Sequence, residues 1–307
     1  MKIREIFKKE KNVIRAMWIV ALSPFALLFL MLTLAALGVF GRMPSFEELE
    51  NPKSNLATEI YADNVKVIGS FFVQNRSYVQ YSDLYPTDST AIYNIAGQPT
   101  PPLAAALIAV EDERFYSHSG IDYRSLARVG VKTLLLGQKQ GGGSTITQQL
   151  AKNLFPRYTS QNDGKIARTM RLVGNKLKEW ITAIKLEHNY TKEEIIAMYL
   201  NTVEFSNSNF GIKSAANNFF GKEPCDLNIE EAAVIAGQVK APGTYAPIRR
   251  GEPNEKARER RNLVLSRLAT TGAISDKVAD SLKQLPIDLT RYRRAADSHN
   301  EGSATYF

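Results

Sequence analysis

One uninterrupted apolar segment constrains this chain more than any other feature. Residues 17–40, MWIVALSPFALLFLMLTLAALGVF, are 24 residues without a charge. A helix of that length spans the hydrocarbon core of a bilayer, about 30 Å at about 1.5 Å per residue. The apolar part of a cleaved signal peptide is shorter, about 7–15 residues. We therefore predict a retained transmembrane helix over residues 17–40, with a cleaved signal peptide as the alternative.

The charges before this segment predict its orientation, because cytoplasmic flanks carry an excess of Lys and Arg. Two acids, Glu5 and Glu10, are outnumbered by six basic residues: Lys2, Arg4, Lys8, Lys9, Lys11 and Arg15. We expect residues 1–16 to be a cytoplasmic tail and everything after residue 40 to lie outside the inner (plasma) membrane. The chain would then be a single-pass membrane protein.

The remaining charge and the rare residue types exclude several classes of function. The net charge is +8, of which the first 40 residues supply 6 − 2 = +4 and the other 267 residues 33 − 29 = +4. That mild excess suits an anionic membrane surface or a phosphorylated lipid better than nucleic acid, so no nucleic-acid partner is expected. Cys225 is single, which excludes an intrachain disulfide and a C-x-x-C motif. Three histidines without H-E-x-x-H argue against a histidine metal centre.

The pattern of apolar residues divides the rest of the chain into three parts. Residues 41–100 are predicted to be a membrane-proximal linker and a β-hairpin, since short β-branched and aromatic runs are split by ADN and QNR. Residues 101–290 show helical periodicity, and residues 291–307 are interpreted as a connector. The predicted fold is mainly α with a small β-hairpin element. The clearest apolar seam steps by four and three residues through Ile166, Met170, Val173, Leu177, Ile181 and Ile184.

A glycine cluster at residues 137–150, GQKQGGGSTITQQL, raises the question of a nucleotide site. The phosphate loop of NTPases has the form G-x-x-x-x-G-K-[ST]. Gly143 occupies the lysine position, so that interpretation fails. What remains is a loop feeding a helix that begins at Ser144 or Thr145, whose free N–H groups favour an anion. Gln148, Gln149 and Lys152 follow within one turn and suit a sugar carrying a phosphate, with a solvated helix face as the alternative.

Three acids, Glu111, Asp112 and Glu113, end an apolar helical run that begins near Pro101. A carboxylate bordering apolar surroundings has its pKa raised toward the range of a proton-transfer group at neutral pH. The alternative is three exposed acids at a helix end, with His118 as a structural hydrogen-bonding residue.

A second acid, Glu179, lies three residues after Lys176. In most proteins this spacing is an ordinary surface ion pair on a helix. Combined with Glu111, however, Glu179 would complete the two-carboxylate arrangement used in glycosyl chemistry.

Together these blocks resemble the peptidoglycan glycosyltransferase domain of class A penicillin-binding proteins and monofunctional transglycosylases, over roughly residues 45–290. The family's third motif, R-K-x-x-E, is matched at Lys176 and Glu179, but Asn175 stands in place of its arginine. The first two motifs, E-D-x-x-F-x-x-H-x-G and G-[GA]-S-T-[IL]-T-Q-Q-x-x-K-N, are matched by Glu111, Asp112, Phe115, His118 and Gly120, and by residues 142–149 with Lys152 and Asn153.

The resemblance implies a lysozyme-like fold and a membrane-held substrate, lipid II, a disaccharide-peptide on undecaprenyl pyrophosphate that is added to a growing glycan strand. It implies that Glu111 is the general base and that Glu179 acts at the leaving pyrophosphate with Lys176, Lys152 and a divalent cation, Mg²⁺ or Mn²⁺. It implies no organic cofactor. Arg168 or Arg171 could replace the missing arginine. The other residues that the motifs assign to substrate binding are Asp112, Phe115, His118, Ser144, Thr145, Gln148, Gln149 and Asn153.

Two other functions remain open at this point. A muramidase or lytic transglycosylase on a related fold also needs one glutamate, and an inactive scaffold for wall assembly would need neither acid. Other cell-wall synthesis proteins are expected partners in each case. The S-x-x-K and K-T-G motifs of a penicillin-binding transpeptidase are missing from these residues. We therefore expect no β-lactam binding, and we interpret residues 291–307 as a connector truncated before such a domain.

Overall fold

The protein is described by a computed structural model. It describes residues 2–39, 58–61, 67–71, 78–87, 91–136, 142–155, 164–207, 209–293 and 300–302.

The N-terminal segment forms one long helix, α1, at Lys2–Ala36. Its most apolar part, Asn12–Ala35, has a mean hydropathy of 2.2, and within the described ranges this is the one helix long and apolar enough to cross a membrane. The predicted span of residues 17–40 overlaps this helix but does not share its ends. The helix includes the basic tail and ends at Ala36, since charged side chains do not interrupt helical hydrogen bonds. The end of α1 contacts the long helix at residues 165–189, where Ala35 is fully buried.

A small antiparallel sheet follows the first helix. β1 at Thr58–Tyr61 pairs with β2 at Val67–Phe71, which confirms the predicted hairpin. A third strand, β9 at Asn300–Gly302, pairs with the other edge of β2. The sequence pattern contained no sign of this pairing, because its partner lies more than two hundred residues away. A second hairpin joins β3, Tyr93–Ile95, to β4, Gln98–Thr100.

Ten further helices build the rest of the molecule as the structure describes it, which confirms the mainly α prediction. Two short ladders join β5 to β6, at Glu204–Phe205 and Asn209–Phe210, and β7 to β8, at Ile248–Arg249 and Glu252–Pro253. The helices are α2 Pro102–Glu111, α3 Tyr123–Leu136, α4 Ile146–Leu154, α5 Lys165–Asn189, α6 Lys192–Thr202, α7 Ile212–Phe220, α8 Ile229–Gln238, α9 Pro242–Tyr245, α10 Glu255–Thr270 and α11 Asp276–Gln284.

Helix α2 is the centre of the core. Every residue from Leu103 to Ile108 is almost completely buried, on all sides of the helix. A helix that is apolar all round must be enclosed by other elements, and α2 packs against α8 and α10. Its alanines permit this close approach. The C-terminal residue of α2 is Glu111, so the core delivers this carboxylate to its own edge.

The helix starts are fixed by local chemistry that the sequence already showed. Thr145 caps α4 by accepting a hydrogen bond from the amide of Gln148. Reciprocal capping boxes begin α6 at Thr191 and α8 at Asn228, each completed by a glutamate three residues later. These caps satisfy amides that would otherwise lack partners at the helix ends, and the cap at Thr145 confirms the predicted start of α4.

The predicted apolar seam of α5 is wrong in part. Leu177 is buried, but Met170, Val173 and Ile184 are 49%, 39% and 49% exposed. The buried face of α5 instead carries polar groups, among them Asn175 and Glu179. Periodicity located this face only in part, because apolar residues, Leu177, Ala183 and Leu186, share it with polar residues that face a cleft or its neighbours.

Candidate active site

A cleft of about 630 Å³ lies where the end of α2 meets α4, the middle of α5 and α10. Both Glu111 and Glu179 line it. Seven basic residues line it against five acids, an excess of 7 − 5 = +2. The basic residues are Arg114, Arg128, Lys152, Lys176, Lys240, Arg260 and Arg267, and the acids are Glu111, Asp112, Glu113, Asp122 and Glu179.

Glu111 lies at one end of this cleft, with a side chain 13% exposed. Its Oε1 accepts a hydrogen bond from Nη2 of Arg260 at 3.1 Å, and its Oε2 accepts one from Nε2 of Gln149 at 3.1 Å. Burial raises the pKa of Glu111, while Gln149, Arg260 and Lys240 act to lower it and Asp112 adds to the rise. The net shift is upward, which moves the carboxylate toward the range of a proton acceptor at neutral pH.

Asp112 holds the start of α4 against the end of α2. Its Oδ2 accepts from the amide of Ile146 at 3.0 Å. Nε2 of His118 lies 2.9 and 3.0 Å from the two carboxylate oxygens. Both oxygens therefore have protein partners, and the contacts of Asp112 are those of a residue that positions neighbouring elements.

Gly120 brings the loop after α2 close to α5. Its carbonyl oxygen accepts from Oγ1 of Thr145 at 2.7 Å and from Nε2 of Gln148 at 3.2 Å. Its φ is +87°, and a Cβ there would lie 2.8 Å from the carbonyl oxygen of Ala183. Only glycine combines this backbone conformation with this approach.

The second end of the cleft is built around Lys176. Its Nζ donates to Oγ of Ser144 at 2.8 Å, to Oε1 of Gln148 at 3.3 Å and to Oε2 of Glu179 at 3.1 Å. The side chain of Glu179 is 6% exposed and that of Lys176 is 34% exposed. The predicted pair is therefore part of a four-residue cluster, and the ammonium faces the cleft.

Consecutive glutamines of α4 connect the two ends. Gln149 donates to Glu111, while Gln148 accepts from Lys176. Neighbouring residues on a helix point in directions about 100° apart, so one turn of α4 reaches both carboxylate clusters. The sequence analysis recognised these two residues but not this division of tasks.

Five of the predicted substrate-binding residues lie outside the lining of the cleft, and their role in substrate binding stays a prediction. Phe115 is fully buried in the core, and Nζ of Lys192 lies 4.3 Å from its ring centroid. His118 is held by Asp112, as the structural alternative expected. The other three, exposed or half-buried and likewise absent from the lining, are Asn153, Arg168 and Arg171. A match to a sequence motif does not tell whether a residue packs in the core or contacts substrate, so the motifs could not separate these roles.

Sequence reasoning missed Arg260, whose Nη2 donates to Oε1 of Glu111 at 3.1 Å. The segment NEKARERRNLVLSRL was interpreted only as a helix. In α10, Arg260 lies one turn after Ala257 and one turn before Val264, both buried, so it occupies a core-facing position. An arginine at an apolar periodic position was the available signal, because a buried charge requires a partner.

The transglycosylase family model matches residues 67–269. The chain belongs to the transglycosylase family. It therefore carries a peptidoglycan glycosyltransferase domain, and the resemblance seen in the sequence motifs is confirmed.

The relatives of this family member are longer proteins. Penicillin-binding protein 1F of Bacillus subtilis (strain 168) is 37% identical over 223 residues, 73% of this chain and 27% of that protein. Penicillin-binding protein 1A of Pseudomonas aeruginosa is 32% identical over 246 residues, 80% of this chain and 26% of that protein. The family member described here thus spans about a quarter of their length.

Among solved structures, a 2.6 Å crystal structure of penicillin-binding protein 1A from Haemophilus influenzae overlays with a TM-score of 0.37 and 20% identity. The overlay covers 80% of this chain and 23% of that one. It adds nothing to the assignment that the family match already makes.

Proposed function

We propose that this chain is a membrane-anchored glycosyltransferase that polymerises lipid II into β-1,4 glycan strands, with inversion at the anomeric carbon and release of undecaprenyl pyrophosphate. One observation carries the proposal. Two carboxylates from distant parts of the chain, the partly buried Glu111 and the buried Glu179, line one cleft in which basic residues outnumber acids. Such a cleft suits a sugar acceptor at one end and a pyrophosphate at the other.

At the first end, Glu111 would remove the proton from the 4-hydroxyl of the acceptor sugar. The freed oxygen attacks the anomeric carbon of the growing strand as the bond from that carbon to the pyrophosphate breaks. The pyrophosphate leaves with the bonding electrons, and Glu111 retains the proton. A carboxylate with a raised pKa suits this task, because proton transfer is most efficient when the pKa of the base lies near the working pH.

At the second end, Lys176 would meet the negative charge that develops on the leaving pyrophosphate. Lys152 also lines the cleft and is exposed, so it would add a second ammonium. Ser144 and Gln148 hold the Lys176 ammonium in place before substrate arrives. A group fixed in advance needs no costly rearrangement during the reaction.

A divalent cation, Mg²⁺ or Mn²⁺, fits this end only together with the substrate. Among the described residues no group of three His, Cys, Asp or Glu side chains could hold a metal by itself. Magnesium is commonly bound by one or two carboxylates with substrate phosphates, and Glu179 offers one such carboxylate. When bound there, the ion would neutralise charge on the leaving group. We propose no organic cofactor.

The membrane supplies the setting of this reaction. Helix α1 is long and apolar enough to span a bilayer, and the basic residues before it favour a cytoplasmic N-terminus. The catalytic domain would then lie outside the plasma membrane, where it would meet lipid II, the growing glycan strand and other cell-wall synthesis proteins. The proposal includes no nucleic-acid partner.

Labelled lipid II tests the proposal directly. Detergent-solubilised wild-type protein should produce glycan strands, and Glu111→Gln should reduce the rate by roughly 10²–10⁴-fold, the usual contribution of a general base. Glu204→Gln is a matched control, because Glu204 is exposed and lies outside the cleft. Equal rates in wild type and Glu111→Gln would refute the role of Glu111.

The same assay separates the two alternatives. A muramidase or lytic transglycosylase would release soluble fragments from finished peptidoglycan and leave lipid II untouched. An inactive scaffold would do neither, in wild type as in the variant. Both outcomes would overturn the proposed polymerisation.

A further inference from the structure

The side-chain amide of Gln149 lies between two partners with different requirements. Its Nε2 donates to Oε2 of Glu111 at 3.1 Å, and its Oε1 accepts from the hydroxyl of Tyr199 at 2.8 Å. Tyr199, in α6, is fully buried. Residues from α2, α4 and α6 therefore meet at one amide, whose orientation decides what faces the carboxylate.

Ionised Glu111 accepts only one orientation of this amide, whereas protonated Glu111 accepts both. An ionised carboxylate can only accept hydrogen bonds, so a reversed Gln149 would place two acceptor oxygens about 3 Å apart. A protonated carboxyl can donate, so the reversed amide becomes acceptable to Glu111 after it has taken a proton. In that state Glu111 no longer holds the amide in its observed orientation.

Tyr199 still distinguishes the two orientations in that state. Against a reversed amide, its hydroxyl oxygen would accept from Nε2 while its own hydrogen would lack an acceptor in a buried position, which is costly. Burial, followed by the charge of Glu111, raises the pKa of Tyr199 well above its ordinary value, so the hydroxyl stays protonated and able to donate.

We infer that Tyr199 is a positioning residue that keeps the N–H group of Gln149 directed at Glu111 in both protonation states of the base. The inference rests on the proposed function, since it takes Glu111 to be the base. Arg260 donates to the other carboxylate oxygen. With donors directed at both oxygens, the ionised form of Glu111 is favoured, and the carboxylate is restored for the next proton transfer.

The charged and titratable groups that act on Glu111 come from several elements. Arg260 in α10 and Lys240 after α8 favour its ionised form, whereas Asp112, its neighbour in the chain, opposes it. Loss of the Tyr199 hydroxyl changes none of these charges. Its effect should therefore pass through Gln149.

Tyr199→Phe keeps the buried ring and removes only the hydroxyl. We expect the acidic limb of the kcat–pH profile to move up by about half to one pH unit, because the freed Gln149 amide can then reverse and accept from protonated Glu111, which stabilises the protonated form. Near pH 6 the polymerisation rate should fall several-fold, and near pH 8 it should approach that of wild type, with KM for lipid II unchanged. Tyr93→Phe is the matched control, since Tyr93 is partly buried against the core and lies on β3, outside the lining of the cleft.

A double-mutant cycle with Gln149→Met identifies the route of the effect. Gln149→Met alone should move the acidic limb in the same direction, and Tyr199→Phe should add little in that background. An unmoved limb in Gln149→Met would overturn the inference even if Tyr199→Phe lowered the thermal midpoint. A full, additive shift in the double variant would also overturn the inference. So would an acidic limb that stays in place in a folded Tyr199→Phe variant.

Failure of this inference is distinguishable from failure of the proposed function. If wild type forms no glycan strands, or if Glu111→Gln matches wild type, the proposed function fails. If wild type is active, Glu111→Gln is inactive and Tyr199→Phe keeps the wild-type pH profile, only the positioning role of Tyr199 fails.

Discussion

The two ends of the cleft hold their carboxylates in different ways. Glu111 is held by an arginine and a glutamine that come from other helices, and both of its oxygens have donors. Glu179 is held by Lys176, three residues earlier on the same helix, and the side chain of Lys176 is one-third exposed. The first arrangement encloses and tunes a proton acceptor, while the second presents positive charge to a ligand. Two acids in one cleft can thus have separate tasks because their partners differ in origin and exposure.

The largest effect that tests this contrast is expected for Arg260→Met. Arg260 acts to lower the pKa of Glu111, so its removal raises that pKa further. The base works in its ionised form, and the acidic limb of the pH profile should therefore move to higher pH. We expect kcat/KM for lipid II to fall roughly 10²-fold at pH 7 and to recover in part as the pH rises.

Arg260→Lys is the control for this variant, since it keeps the charge and loses the guanidinium geometry. The acidic limb of the pH profile should move less in Arg260→Lys than in Arg260→Met. Removing one partner of a buried ion pair costs about 3–5 kcal/mol of stability, so thermal unfolding must show that both variants are folded at the assay temperature. An acidic limb that stays in place in folded Arg260→Met would contradict the tuning role.

A smaller effect, without a pH shift, is expected at the other end for Lys176→Met. The change removes the donor to Ser144, Gln148 and Glu179. We expect kcat to fall about tenfold to a hundredfold because the leaving group loses a fixed positive charge. The acidic limb should stay in place, since Lys176 is not among the groups that shift the pKa of Glu111.

Lys178→Met provides the matched control, because Lys178 lies two residues along the same helix and outside the cleft lining. It should behave like wild type in a steady-state assay with lipid II. If Lys176→Met moved the acidic limb as far as Arg260→Met does, the two ends would not be electrostatically separate.

The smallest effect on the chemistry, but a clear one on stability, is expected for Gly120→Ala. The added Cβ would meet the backbone of α5 at 2.8 Å in a left-handed conformation, and we expect a loss of about 2–3 kcal/mol. Gly97→Ala is the control, since Gly97 has a φ of +86° but no atom within 4 Å of the added Cβ. It should cost about 1 kcal/mol. Equal losses in chemical denaturation would show that the close approach contributes nothing.

Sequence patterns predicted best where the cause is local. The caps at Thr145, Thr191 and Asn228 are decided by residues within one turn. The hairpin of β1 and β2 was also predicted, since both strands and their turn lie in one short stretch. The seam of α5 was predicted poorly because periodicity counts apolar residues and cannot tell which side of a helix faces a polar cleft.

Asn175 is a second position where sequence patterns gave an incomplete prediction. Its departure from the family's motif suggested that a nearby arginine replaces the missing contact. The structure buries Asn175, and neither Arg168 nor Arg171 lines the cleft. Lys176, the next residue along α5, lines the cleft, and the other cationic groups come from elsewhere in the chain, on α3 and α10 among other elements. A replacement of the missing contact by Arg168 or Arg171 therefore stays a prediction.

The sequence by itself determined the apolar N-terminal segment, the mainly helical architecture, the family and the presence of the two acids, because each depends on residue type and short-range spacing. Only the tertiary structure decided what surrounds those acids. Arg260 lies 149 residues from Glu111 and yet bonds to it, and burial by the helices packed around α2 raises the pKa of that carboxylate. A charge responds to whatever is near it in space, and the order of residues along the chain does not state which distant groups the fold brings together.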